Sequence, residues 1–160
     1  MSLEIYIFLV LYSIYIMPFK FNKELWDIGQ TIEDRTLPLI NKYFGADFKR
    51  AENNIWDILD FHDEDKKIIC EIKGRRNKSN QYRETIITCN KLHEAFIKIE
   101  LGYTVYLVFV FLDKTLGIQI DKDKEFNCCL TGTNYIKHYL IPIEDLEEIK
   151  EDEILGDINI

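Results

Sequence analysis

Within residues 55–76, IWDILDFHDEDKKIICEIKGRR, three side chains have the types and spacing of a small polar centre. They are Asp57, then Glu71, then Lys73 two positions on. Side chains alternate across a strand, so Glu71 and Lys73 share one face while Cys70 and Ile72 point to the other. If Asp57 lies on the Glu71 side, two carboxylates and an ammonium meet on one hairpin. Such a group suits a divalent cation, which takes hard oxygen ligands and keeps positions open for water and phosphate oxygens.

The elements that must position these groups can be read around them. Ile55–Phe61 and Lys67–Lys73 read as two strands joined by a polar turn. Upstream, Asn22–Phe44 reads as a helix, with Leu25, Ile28, Ile32, Leu37, Ile40 and Phe44 at near-helical spacing. Pro38 inside it should kink or restart it, and Gly45 is placed to end it. Asp47–Ala51 supplies a short strand that completes a three-stranded meander with the hairpin. After Gly74 a polar loop, Arg75–Asn80, leads into a second helix over Gln81–Leu101. Ser79 or Asn80 is placed to cap that helix, and Ile86, Cys89, Leu92, His93, Phe96 and Ile99 form its buried stripe. His93 on that stripe reads as a packed core histidine. Gly102 ends the helix, and Tyr103–Leu112, almost wholly apolar, reads as a strand covered on both faces. Leu116–Ile120 is a further strand, Asn134–Pro142 an edge element and Ile143–Ile149 a short helix.

Asp57 followed by Glu71-x-Lys73 resembles the motif of the PD-(D/E)XK nuclease superfamily, which includes restriction endonucleases and archaeal Holliday-junction resolvases. The resemblance spans about Ile28–Leu112 and departs where the motif's proline stands, since Trp56 precedes Asp57 here. It implies an α/β fold with a restriction-endonuclease-like αβββαβ core, a mixed central sheet flanked by helices. The order of elements above agrees with that core. The implied activity is Mg²⁺- or Mn²⁺-dependent hydrolysis of DNA phosphodiester bonds leaving 5′-phosphates, with branched DNA in repair, recombination or DNA processing as one substrate class. Asp57 and Glu71 are then the metal ligands, with the Ile72 carbonyl as a further one, and Lys73 orients or activates the attacking water. Related nucleases carry a glutamate on the helix before the hairpin, and Glu33 is the residue placed to serve as it. Arg75, Arg76, Lys78 and Arg83 are expected to hold backbone phosphates, with Gln81 a weaker contact at the start of the second helix. The alternative is a non-catalytic DNA- or protein-binding module of the same fold. A homodimer is left open.

At 160 residues, 47% hydrophobic and 13% aromatic, the chain has enough apolar material for one globular domain. A formal charge of −8 argues against a generic nucleic-acid binder, but the charge is unevenly placed. Glu144–Ile160 carries eight acidic residues and one lysine, a net of −7 that leaves the rest of the chain near neutral. Lys66–Arg83 has seven basic residues against Glu71 alone. Basic charge therefore sits beside the polar centre, where a phosphate backbone would need it. Cys70, Cys89, Cys128 and Cys129 show no CxxC spacing, which suits reduced thiols in an intracellular protein. Residues 1–16 form an apolar extension: its run Leu3–Ile16 is short of the ~20 residues of a membrane-spanning helix and lacks signal-peptide features, so no membrane span is expected. It reads as a dispensable extension, an added strand or a membrane anchor. Residues 17–143 then make up the nuclease-like domain and 144–160 an acidic tail.

Overall fold

A computed structural model describes residues 22–51, 58–131 and 136–150 of the chain. It opens with helix α1, Lys23–Phe44. Asn22 starts the helix by accepting the Leu25 N–H on its side chain, which satisfies one of the orphan amides of the first turn. Gly45 ends it in a left-handed conformation, φ 56, that glycine adopts without the steric cost a Cβ brings. Contrary to the expectation from its missing N–H, Pro38 neither ends nor restarts the helix. Glu33, Thr36, Ile40 and Tyr43 are buried at helical spacing, and burying that stripe offsets the cost of about 3 kcal/mol for an interior proline. Leu25 and Ile28, which the apolar spacing assigns to the buried face, are exposed.

The elements that follow are β1 (Lys49–Arg50), β2 (Phe61–Asp63), β3 (Ile68–Gly74), β4 (Glu84–Thr88), helix α2 (Cys89–Glu100), β5 (Thr104–Val110), β6 (Thr115–Gln119), β7 (Cys128–Thr131), β8 (Ile136–Pro142) and β9 (Glu147–Glu148). Six strands form one mixed sheet in the order β1-β2-β3-β5-β6-β9, with β3 and β5 parallel and the other neighbours antiparallel. A second, antiparallel sheet has the order β4-β8-β7. The described residues are thus α/β, with a mixed sheet and two helices, which agrees with the expected class.

Alternation along β3 and β5 explains why β5 is apolar throughout. Ile69, Val105, Leu107 and Phe109 join Leu92 and Ala95 of α2 in one core cluster. Cys70, Ile72 and Val108 join Ile40 and Tyr43 of α1 in another. The central strands are therefore covered on both faces, one face by each helix.

Several expected elements differ. Glu84–Thr88 is a strand, and α2 begins only at Cys89 with Thr88 at its N-cap, so neither Ser79 nor Asn80 caps it. Thr85-Ile86-Ile87-Thr88 is a β-branched run, stiff at χ1 and suited to a pleat, and alternation buries Thr85 and Ile87. His93 is exposed, with its Nε2 3.1 Å from the Tyr139 hydroxyl. Ile143–Ile149 holds a 3₁₀ turn, Ile143–Asp145, and β9 in place of a helix. Of the first hairpin strand, expected over Ile55–Phe61, only Phe61 lies in β2: Ile58, Leu59 and Asp60 are in no strand, and residues 55–57 lie outside the described residues. Residues 1–16 and the end of the acidic tail, 151–160, also lie outside them. Among the described residues no helix is long and apolar enough to cross a membrane. The four cysteines are free thiols.

Asp63 fixes the hairpin turn to the end of α1. Its carboxylate accepts the Asp47 N–H at 2.9 Å and the Lys66 N–H at 3.1 Å, and these two donors hold it below the usual carboxylate range. A depressed carboxyl contributes its stabilisation above the unfolded-state pKa and loses it as pH falls through the folded-state pKa. Asp63→Ala is expected to lower unfolding free energy by about 1–2 kcal/mol near neutral pH. The difference from wild type should close in acid, below the ordinary aspartate value of 3.8. Urea melts near neutrality and at about pH 3 measure it.

Candidate functional site

β3 carries the centre of the site. Glu71 and Lys73 lie on one face of it, as alternation requires, and Glu71 is fully buried. The antiparallel register pairs Phe61 with Cys70, so the residue opposite Glu71 is Asp60. Its N–H donates to Glu71 Oε2 at 3.1 Å. Asp57 lies outside the described residues, and the carboxylate brought beside Glu71 among those described is Asp60.

Two ammoniums complete the cluster. Lys73 Nζ stands 2.9 Å from Glu71 Oε1. Lys91, in the first turn of α2, places its Nζ 3.0 Å from Glu71 Oε1, 3.1 Å from Oε2 and 3.4 Å from Asp60 Oδ1, and also donates to the Ile58 carbonyl. Nothing in the local pattern around Lys91 marks it, because it reaches the site only through the packing of α2 on the sheet. Its one sequence signal is a lysine in the first turn of a helix, where the backbone dipole disfavours a cation.

Burial pushes the Glu71 carboxyl up, and Lys73 and Lys91 oppose that by favouring its charged form. Two ammoniums within about 3 Å of it favour the charged form against that rise. Burial alone would lower Lys73, but the Glu71 carboxylate outweighs it and, with Asp60 and Glu33, holds the ammonium above its usual value. Lys73 is therefore a firm proton donor for hydrogen bonds, and a poor base.

Glu33 of α1 is buried rather than solvated and sits at the edge of this cluster. Its Oε2 receives Arg50 Nη1 at 2.7 Å and Gln30 Nε2 at 3.2 Å. Burial raises its carboxyl, Arg50 opposes that rise, and the Asp60 charge adds to it. Arg50 also reaches Asp34 at 3.1 Å and lies over the Phe61 ring. The glutamate on the preceding helix is thus near the site but held by an arginine.

Whether these groups suit a divalent cation can be judged from the donors. Glu71 Oε1 is buried and accepts no hydrogen bond of good geometry, although both ammoniums stand close to it. Among the described residues, no three His, Cys, Asp or Glu side chains are grouped closely enough to hold a metal ion. The oxygen donors that the described residues bring together here are two carboxylates, Asp60 and Glu71, and the Ile58 carbonyl, all now facing Lys91.

The basic loop after β3 divides into two kinds of residue. Arg75 is turned into the fold, against the expectation that it faces DNA. Its Nε donates to Thr85 Oγ1 at 2.8 Å, its other nitrogens reach the Ile86 and Gly74 carbonyls, and it lies over the Phe109 ring. Burial lowers its guanidinium to about 10. Arg76, Lys78, Gln81 and Arg83 are exposed. Ser79 anchors the loop, donating from both its N–H and its hydroxyl to the Asp113 carboxylate at 2.7 Å. Arg75→Ala is expected to cost about 2–3 kcal/mol, because it leaves buried acceptors unpaired. Replacing Arg76 and Lys78 should leave stability within about 0.5 kcal/mol. If the loop holds phosphates, that second pair of substitutions should also flatten the salt dependence of DNA binding, by about 0.9 for each phosphate no longer held. Urea melts and binding isotherms at several salt concentrations separate the two classes.

No family profile, curated protein or solved structure matches this chain.

Proposed function

We propose that the chain is a metal-dependent DNA nuclease that hydrolyses phosphodiester bonds and leaves 5′-phosphates, acting on branched DNA in repair, recombination or DNA processing. The observation that supports this best is the convergence of Asp60, just ahead of β2, with Glu71 and Lys73 of β3, beside an exposed basic loop. Mg²⁺ or Mn²⁺ bound there would lower the pKa of a water and offset charge growing on the phosphoryl oxygens. Asp60 and Glu71 would hold it, with the Ile72 carbonyl as a further ligand. Lys73, kept charged by Glu71, would orient the attacking water and stabilise negative charge in the transition state, with proton removal left to another group. Glu33 would shape the edge of the site through Arg50. Arg76, Lys78 and Arg83 would grip the DNA backbone, and Gln81, held by Tyr82 at 3.1 Å, would lie at the margin of that contact.

A second reading keeps the fold without the reaction, as a DNA- or protein-binding module. One observation favours it: Lys91 and Lys73 already balance the charges of Asp60 and Glu71. Incubating plasmid, linear and branched DNA with the protein in Mg²⁺, Mn²⁺ or EDTA, with Lys73→Ala as control, distinguishes the two. Cleavage that needs metal and is lost in Lys73→Ala supports the nuclease. Binding without cleavage in either metal supports the module.

A further inference from the structure

Lys91 is not accounted for by the roles above. Its ammonium is ringed by oxygens of two carboxylates and one main-chain carbonyl, from Glu71, Asp60 and Ile58. Those are the donor types that a hard divalent cation selects. Lys73 differs, since it pairs with Glu71 and does not bridge to Asp60. We propose that Lys91 is a built-in cation that occupies the place of the divalent metal and has to leave before the metal enters.

The proposal rests on the metal-site reading above and deepens it. Three features support it. The bridging position between Asp60 and Glu71 cannot hold an ammonium and a metal ion together, because each needs the same oxygen lone pairs. The Lys91 side chain is 16% exposed, which gives a long flexible stem a way out to solvent. It also stands in the first turn of α2, where the helix dipole disfavours a cation, so the oxygens of the site alone hold it in place. Without metal, Lys91 keeps a buried carboxylate compensated. With metal, it is released toward solvent.

Occupancy of this kind weakens metal binding by the fraction of molecules whose site is open. Binding of Mn²⁺, followed by electron paramagnetic resonance of the free ion, should therefore respond to the two lysines differently. Lys91→Met is expected to bind Mn²⁺ at least about tenfold more tightly than wild type. Lys73→Met removes an ammonium equally close to Glu71 and should change affinity by less than about threefold. Lys91→Gln serves as a second variant should Lys91→Met fold poorly, and thermal melts report folding for each. An equal gain in both lysine variants would mean simple charge repulsion and overturn the proposal. Weaker binding in Lys91→Met would mean that Lys91 supports the ligands, and would overturn it as well. Binding in wild type with no change in either Lys91 variant rejects occupancy while leaving the metal site standing. No Mn²⁺ binding in any of the proteins removes the metal site and the proposal with it.

Discussion

Replacing Glu71 by Gln is expected to lower unfolding free energy by about 3–5 kcal/mol, because it removes the charge that compensates two partly buried ammoniums. Lys91 would be left with Asp60 and a carbonyl, and Lys73 would lose the carboxylate that it pairs with. Removing both sides of the interaction should be far milder. Glu71→Met combined with Lys91→Met replaces polar groups by apolar ones of similar length, in a region already lined by Leu59, Ile69 and Leu92. The double variant is expected to recover most of the stability lost in Glu71→Gln while remaining inactive on DNA. Denaturant melts of the single and double variants form the cycle that measures this. A double variant less stable than Glu71→Gln would show that the cluster contributes more than mutual compensation.

The second expected result concerns which aspartate works with Glu71. Asp60→Asn should reduce metal-dependent cleavage by at least about 100-fold, since the proposed chemistry takes several kcal/mol from a cation that needs both carboxylates. Fold stability should change little by comparison, because Asp60 meets Lys91 only at 3.4 Å and its N–H bond to Glu71 is a main-chain one. Asp57→Asn is the companion measurement. Full loss of activity in Asp57→Asn with Asp60→Asn active would restore Asp57 as the ligand and leave Asp60 a structural role. Single-turnover cleavage rates with Mg²⁺ and with Mn²⁺ provide the comparison.

Features that depend only on neighbours along the chain were legible in the sequence. Asn22 and Gly45 bound α1 because capping is decided within one turn of a helix. Glu71 and Lys73 share a face because strand alternation has period two, whatever the partner strands are. The unbroken apolar run of β5 announced a strand buried on both sides, and the structure places it beside β3 at the centre of the sheet.

Whatever needed a partner from elsewhere in the chain came from packing instead. The register of β2 on β3 sets Asp60 opposite Glu71, and a shift of one residue would have turned the other face inward. Lys91 enters the site because α2 packs on that face of the sheet, a contact no local spacing encodes. Glu33 is buried through Arg50, and Arg75 turns inward because β4 offers its Thr85 hydroxyl and Ile86 carbonyl. β4 itself shows the limit most directly. Ile86, Cys89, Leu92 and Phe96 fit a helical stripe, yet Glu84–Thr88 pairs with β8, which lies far along the chain. Pairing with a distant strand satisfies the backbone groups of a whole strand at once, and that gain outweighs a local periodicity which suits a helix equally well.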